Sequence, residues 1–366
     1  MAFNYRKLGL KRLDTYIIGK FLGTYFYSII LIISISVVFD LTEKLDNFFD
    51  SKAPLNAIIF DYYFSFIPFY MNMFSPLFTF IAVIFFTSKM ATNTEIIAIL
   101  ASGVSFNRLM RPYFISASII ALLALILGGF IIPPASAKMI DFQDKYIKKT
   151  KSMNARNVQM EVEKGVIMYI ERYEVSENKG YRFSLEKFED KILVSRLTAE
   201  TVVYDSLNHW RIENYLQRNF NGMRESITKG VSKDTVINVI PRDFFITSKE
   251  SVQLNNIELS NYIDRQNSRG VGSIQAFKDE YYKRYSMPLA AFIMTLIGVS
   301  LSSRKVRGGM GLHLGIGLAL SSIYILSTTL STTLSVNGIL SPFLAVWMPN
   351  LVFILVGMYL YKTAPK

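Results

Sequence analysis

A long stretch of this sequence has no charged side chains. Between Gly308 and Tyr361 there is no Asp, Glu, Lys or Arg, which is too much charge-free sequence for a soluble domain of ordinary composition. The stretch is interrupted once, at 337–342, where an Asn-Gly pair and Pro342 indicate a turn. Each remaining piece is long enough to cross a bilayer, which takes about 20 residues. The stretch therefore predicts two membrane helices joined by a short turn.

The sequence also lacks residues on which several kinds of site depend. It has no cysteine, which excludes disulfides, thiolate metal sites and cysteine nucleophiles. Its two histidines, His209 and His313, are separated by a predicted membrane crossing and cannot form a metal pair. It has no Gly-x-x-x-x-Gly-Lys-Ser/Thr phosphate loop, and the glycines within 308–311 come without the lysine that such a loop needs. We therefore expect no catalytic site, metal site, cofactor or nucleotide site in this chain.

Four further apolar segments bring the predicted spans to six, in a chain that is 51% hydrophobic and 14% aromatic. Each is an apolar run with few or no charges. The second contains Pro68 and Pro76, which remove backbone donors and predict a kink. The predicted spans lie at about 16–40, 57–88, 112–133, 281–303, 308–334 and 342–361.

Charges in the short loops predict the orientation of these spans. The net charge of +12 is typical either of nucleic-acid binding or of a membrane protein with its cations on the cytoplasmic side. The positive-inside rule places both termini in the cytoplasm, and an even number of spans requires the same. The cations behind this prediction are Arg6, Lys7, Lys11, Arg12, Lys89, Arg108, Arg111, Arg304, Lys305, Arg307, Lys362 and Lys366.

The region 138–278 follows the third span, so this orientation places it outside the cytoplasm. It is charged and contains no run that could span a membrane. β-branched and aromatic residues alternate there with polar ones, and pairs such as Asn-Gly and Lys-Gly mark turns. The pattern predicts an antiparallel sandwich or open roll with strands at 166–170, 192–197, 201–204, 210–216 and 236–240. The chain thus divides into a membrane half at 1–137, a β domain at 138–278 and a membrane half at 279–366.

A short helix is predicted at 92–102, in the loop between spans two and three. Thr92 and Glu95 have the spacing of a capping box, and Gly103 is a typical helix stop. Two interpretations stay open at this point. The helix either lies on the lipid headgroups with Glu95 as its cap, or presents an apolar face and one carboxylate to a cytoplasmic partner.

Several short segments, taken in chain order, match a pattern known from one family of membrane proteins. They are 13–17 (LDTYI), 95–105 (EIIAILASGVS), 133–134 (PP), 166–171 (VIMYIE), 210–212 (WRI), 282–290 (YKRYSMPLA) and 347–350 (WMPN). Together they resemble the LptF/LptG (YjgP/YjgQ) permeases of the lipopolysaccharide exporter. The resemblance covers essentially the whole chain.

This resemblance implies an α-helical membrane protein of the bacterial inner membrane. It would have six transmembrane helices, with an all-β, jellyroll-like periplasmic domain inserted between spans three and four. Its function would be that of an ABC-transporter permease that extracts lipopolysaccharide and passes it to a periplasmic jellyroll bridge. The implied partners are a second LptF/LptG-type permease, a cytoplasmic LptB-type ATPase dimer that binds ATP and magnesium, and periplasmic LptC/LptA-type proteins.

The resemblance also assigns candidate site residues. The helix at 92–102 becomes a coupling helix gripped by the ATPase, with contacts expected from Glu95, Ile96, Ala98, Ile99, Ser102 and Gly103. A substrate contact carries over only to Lys44, because the outer end of span one here has the acidic residues Asp40, Glu43 and Asp46 where G-type members carry lysines. The alternative for Lys44 is a solvated charge at a helix end.

Two other functions stay open from the sequence. One is a force-transmitting membrane subunit of an ABC system that moves no lipid itself, although such proteins usually have four spans. The other is a membrane enzyme acting on lipid, which would need clustered carboxylates or histidines near a membrane face. The predicted spans contain no such cluster.

Overall fold

The computed structural model describes residues 11–147, 154–190, 192–206, 208–222, 224–244, 251–268, 274–304 and 309–364. They belong to two compact units. The membrane unit contains the chain up to Ile147, Val252–Asn256 and the chain from Lys278 onward. The β unit contains Lys148–Ser251 and Ile257–Phe277. Of the cations used to predict orientation, five lie outside the described residues: Arg6, Lys7, Lys305, Arg307 and Lys366.

Six helices in the described part of the chain are long and apolar enough to cross a membrane, which confirms the six predicted spans by length and composition. A continuous helix suits lipid because it satisfies its backbone hydrogen bonds internally. The helices of the protein are α1 (Arg12–Asp50), α2 (Leu55–Ala57), α3 (Phe64–Met73), α4 (Ser75–Thr92), α5 (Glu95–Ala101), α6 (Phe106–Ile126), α7 (Ile132–Phe142), α8 (Asn256–Ser268), α9 (Gln275–Ser302), α10 (Gly309–Val336) and α11 (Pro342–Thr363). π-helical segments at Ile58–Tyr63, Leu127–Ile131 and Gln143–Ile147 join several of them.

The second predicted span is broken rather than continuous. Its first part ends at Met73, Phe74 leaves helical geometry at φ −94° and ψ 5°, and α4 begins with Pro76 in its first turn. Because Pro76 has no N–H for the preceding turn, the helix cannot continue unchanged through this point. The other proline of the predicted kink, Pro68, lies inside α3.

Helix α1 is attached to the membrane unit along one narrow stripe. Five of its six buried apolar residues recur every four positions, so they line up on one side of the helix. They are Ile17, Phe21, Tyr25, Ile29 and Ile33, and the sixth, Phe48, is buried near the end of the helix. The other faces carry exposed apolar side chains, including Tyr27, Ile30 and Val38. Most of the surface of α1 is therefore free within this chain.

One buried amide joins the last three spans. Asn350 in α11 accepts a hydrogen bond from the Tyr324 hydroxyl of α10 at 2.7 Å. Its Nδ2 donates to the carbonyl of Ser286 in α9 at 3.1 Å. Asn350 and Tyr324 are both buried. This explains an amide in an otherwise apolar span, since polar side chains between membrane helices serve as interhelical hydrogen bonds.

The β unit contains a six-stranded antiparallel sheet in which each strand pairs with its chain neighbour. The strands are β1 (Asn154–Glu163), β2 (Val166–Glu174), β3 (Lys179–Glu189), β4 (Ile192–Tyr204), β5 (His209–Asn221) and β6 (Arg224–Val236). Its core surrounds Trp210, whose Nε1 donates to the carbonyl of Val239 at 3.0 Å. The sequential strand order is that of an open meander, consistent with the open roll predicted from the sequence.

The sheet is crossed by a line that we call the crease. In β2 and β4, the buried positions change from every second residue to a spacing of three, as at Ile170 and Tyr173, and β3 has the spacing of three at Gly180 and Phe183. The extra residues lie at the same level in all six strands, where the cross-strand register has a gap. They are Asn157, Glu171, Arg182, Glu200, Asn214 and Val231. Asn157, Arg182 and Asn214, in alternate strands, have φ of 53°, 53° and 52°.

The observed strands differ from the predicted ones in their bounds and in their number. The segments 192–197 and 201–204 belong to one strand, β4, because Glu200 breaks the alternation without ending the strand. The segment 236–240 lies beyond β6 except for its first residue, and β1, β3 and β6 were not predicted. Helix α8 was not predicted either, since it buries only a few apolar side chains such as Leu259 and Ile263.

Candidate functional site

Helix α5 is held differently from the predicted capping box. Thr92 is the last residue of α4, so it does not cap α5, and the N-cap is Thr94 in the left-handed region at φ 62°. The hydroxyl of Thr94 donates to the carbonyl of Asn93. Glu95 instead accepts from Asn93 Nδ2 at 3.2 Å and from the Tyr16 hydroxyl of α1 at 3.4 Å. The carboxylate of Glu95 thus links α5 to α1.

The seven residues of α5 divide into a packed side and an open side. Ile96 is 1% exposed and belongs to the core of the membrane unit, with Ile99 partly buried against it. Ile97, which the sequence analysis did not single out, is 52% exposed. Ala98, Ser102 and Gly103 are also exposed, and Glu95 is half-buried. We call Glu95, Ile97, Ala98, Ser102 and Gly103 the α5 surface.

The far end of α5 turns sharply into α6. Gly103 has φ +85°, a conformation that favours glycine, and its N–H donates to the carbonyl of Leu100 at 3.0 Å. The next helix begins after Ser105, whose Oγ accepts from the backbone N–H of Arg108 at 3.3 Å. Ordered turns therefore fix α5 between α4 and α6.

A buried ion pair lies beside α5, between the first turns of α1 and α6. Both oxygens of Asp14 accept from Arg108, at 2.6 Å from Nη1 and 2.7 Å from Nη2. Asp14 Oδ2 also accepts from the backbone N–H of Lys11 at 2.9 Å. The Asp14 side chain is fully buried and that of Arg108 is 27% exposed. The sequence signal for such a pair is a carboxylate at the entry of an apolar span, which requires a partner.

Lys44 is engaged within the chain. Its Nζ donates to Asp40 Oδ1 and to the hydroxyl of Tyr62, and it lies 5.0 Å from the centre of the Tyr62 ring. Tyr62 packs in an aromatic cluster with Phe48 and Phe142. The structure therefore brings Lys44 together with Asp40 rather than leaving it as a solvated charge.

The two histidines lie in different units. His313 in α10 is buried and shares a hydrogen bond of 3.0 Å with Ser88 of α4. His209 is exposed at the start of β5. Among the described residues, no group of three or more metal-binding side chains comes together.

Comparison with known families identifies this architecture. Residues 15–363 match the model of the family described as lipopolysaccharide export system permease LptF/LptG. A search of curated proteins gives no match. The match spans nearly the whole chain, from the first turn of α1 to the end of α11, and confirms the resemblance found in the short segments. The chain therefore belongs to the LptF/LptG family, whose members are multi-pass inner-membrane permease subunits of the lipopolysaccharide exporter, working with other Lpt proteins.

Proposed function

We propose that this chain couples ATP hydrolysis by a separate LptB-type ATPase dimer to the extraction of lipopolysaccharide from the inner membrane. The ATPase would grip the α5 surface, and ATP and magnesium would be bound by that partner. The lipid would then pass to the β unit and on to LptC/LptA-type jellyroll proteins. The single observation that carries this proposal is the two-sided construction of α5.

The construction of α5 suits a docking element that transmits force. Its packed side places Ile96 in the core of the membrane unit, so a push on α5 moves the helices around it. Outside that packed side, the first turn carries the exposed apolar Ile97 and the half-buried carboxylate of Glu95. Such a surface offers a partner an apolar contact together with a charge, and complementary charges favour specific pairing. Ile96, which was predicted from the sequence as an ATPase contact, then holds α5 to the core of the membrane unit. We propose Ile97 as the contact with the ATPase in its place.

The proposed orientation follows from the cations near α5. Lys89 closes α4, and Arg108 and Arg111 open α6, so the α5 loop is basic and belongs to the cytoplasmic side by the positive-inside rule. With six spans, both termini lie on that side and the β unit lies in the periplasm. The exposed apolar faces of α1 and α10 are then available to lipid and to a second LptF/LptG-type permease.

Lys44 enters the proposal in a conditional role. Its ammonium group is already paired with Asp40, so a substrate phosphate can bind it only by displacing that carboxylate. Phosphate is a strong acceptor for an ammonium donor, so the exchange is chemically reasonable. We propose Lys44 as a substrate contact on these terms.

The test is co-purification of the tagged chain from its native host in mild detergent. We expect a P-loop ATPase with the wild type and its loss with Glu95→Lys and with Ile97→Asp, because each puts a wrong charge into the α5 surface. The matched control is Ile192→Asp, at an exposed isoleucine of β4. Equal recovery of the ATPase with all variants would show that α5 is not its docking site. Failure to recover any ATPase with the wild type would refute the coupling proposal.

A further inference from the structure

The ion pair between Asp14 and Arg108 joins two helices that α5 also touches. Asp14 lies in the first turn of α1 and Arg108 in the first turn of α6, 94 residues later. An arginine in the first turn of a helix opposes the helix dipole, so Arg108 is poorly placed for α6 alone. Its position is explained by its partner, since Asp14 is fully buried and needs a cation.

The geometry of the pair fixes orientation as well as distance. Two parallel N–H···O bonds of 2.6 and 2.7 Å join the guanidinium to both carboxylate oxygens. Such a two-point contact resists rotation, which a single ammonium contact does not. A third bond, from the backbone N–H of Lys11 to Asp14 Oδ2, holds the carboxylate to its own helix turn. The start of α1 is therefore locked to the start of α6.

Helix α5 reaches α1 by two routes. The first is direct, from Glu95 to the hydroxyl of Tyr16 at 3.4 Å. The second runs through the turn after Gly103 into α6 and across Arg108 to Asp14. The second route has the shorter, charged hydrogen bonds and is the stiffer of the two.

Beyond the ion pair, α1 is held mainly by apolar contacts. From Ile17 to Ile33 its buried residues form one apolar stripe, and its other faces are exposed. Its next polar attachment is the Tyr25 hydroxyl to Ser75 Oγ of α4 at 2.9 Å, and its far end is held by Lys44 and Phe48 against Tyr62. The ion pair is therefore the charged attachment that joins the first turn of α1 to α6.

We infer that Asp14 and Arg108 are positioning residues that carry the movement of α5 into α1 during lipid extraction. This inference rests on the proposed function. The pair touches neither lipid nor nucleotide; it makes α1 turn with α6 when the ATPase displaces α5. Without the pair, α5 still docks and the ATPase still cycles, but α1 no longer follows.

The test uses the wild-type complex with its ATPase and partner permease, reconstituted in phospholipid vesicles that contain lipopolysaccharide. ATP hydrolysis and the amount of lipopolysaccharide transferred per ATP are measured together. For Asp14→Asn and Arg108→Gln we expect an assembled complex with near wild-type hydrolysis and about tenfold less transfer per ATP, within the range found for mutations along coupling networks. The matched control is Lys89→Gln, at an exposed cation in the last turn of α4, with transfer unchanged.

The combined variant, Asp14→Asn with Arg108→Gln, separates positioning from stability. It leaves no unpaired buried charge, so its thermal stability should exceed that of Arg108→Gln, in which the fully buried Asp14 loses its cation, while its transfer stays low. The charge-swapped variant, Asp14→Arg with Arg108→Asp, should regain transfer.

Three outcomes would overturn the inference. One is wild-type transfer per ATP in Asp14→Asn, and another is recovery of transfer in the neutral combined variant. The third is loss of the ATPase from Asp14→Asn, which would assign the pair to docking. A wild-type complex without hydrolysis or transfer would refute the proposed function itself, and the inference with it.

Discussion

Replacing Asn350 tests whether one amide holds the last three spans together. Asn350→Ala removes the acceptor of the Tyr324 hydroxyl and the donor to the Ser286 carbonyl, at 2.7 and 3.1 Å. In water-soluble proteins, a buried group left without a partner costs about 1–3 kcal/mol. Measured bonds between membrane helices are weaker, on average about 0.6 kcal/mol and up to about 1.7. For two bonds we therefore expect a loss of about 1–3 kcal/mol in the free energy of unfolding.

A double-mutant cycle isolates the stronger bond. Tyr324→Phe removes only the hydroxyl, so the coupling energy between it and Asn350→Ala reports the bond between α10 and α11. We expect a coupling energy of about 0.6–1.7 kcal/mol. Thermal and denaturant unfolding in detergent can be followed by tryptophan fluorescence, since Trp347 lies three residues before Asn350 on α11. The control is Asn337→Ala, an exposed asparagine in the turn after α10.

A small loss of stability in Asn350→Ala would contradict this role of the amide. If Asn350→Ala and the control differ by less than about 0.5 kcal/mol, the effect is that of an ordinary surface substitution and the amide does not organise the three helices. A coupling energy near zero, with both single variants destabilised, would show that Asn350 and Tyr324 act independently. Either result would remove the physical reason given for an amide at this position.

Two further predictions concern packing and pH. Gly298→Ala should lower the free energy of unfolding by about 1–3 kcal/mol. The new Cβ would lie 2.7 Å from Cγ1 of Val83, a stiff β-branched side chain on α4. Unfolding that matches the wild type would show that α4 and α9 can move apart freely. In the β unit, the hydroxyl of Thr201 and the ammonium of Lys179 hold the pKa of Glu213 below its ordinary value of 4.5. A carboxylate whose pKa is lower in the folded state stabilises the fold above its ordinary pKa. This stabilisation is lost as the pH falls through the folded-state pKa, so the stability difference between wild type and Glu213→Gln should shrink in acid. Unfolding of both proteins can be followed at several pH values by fluorescence of Trp210, which is buried in the same sheet. A stability difference that does not change with pH would contradict the prediction.

The membrane helices were readable from the sequence because lipid imposes a simple rule. A span has to be a long apolar run, so the sequence reveals that a span exists. The sequence does not show equally well where the span ends or breaks. The break at Phe74 was less visible, since two prolines were candidates and only Pro76 coincides with a helix start. Strand β6 was not predicted, because most of its residues are exposed and polar and it has no apolar alternation.

The site was only partly readable. Sequence spacing placed a short helix near 92–102, but it could not tell Ile96 from Ile97, because which one is buried depends on what packs against α5. The capping box was wrong because Thr92 extends α4 instead of starting α5. A carboxylate at the entry of span one indicates that Asp14 has a partner, but no local pattern identifies Arg108, which lies 94 positions away.

The crease has a consequence for how this sheet can change over evolutionary time. In a strand, the loss of one residue moves every side chain beyond it to the opposite face. If β1 alone lost Asn157, the part of the strand that carries the buried Val158 would turn its apolar side chains to solvent, while its neighbours kept theirs inside. The six extra residues therefore constrain one another, because the loss of any one of them alone would put its strand out of step with its neighbours on one side of the crease.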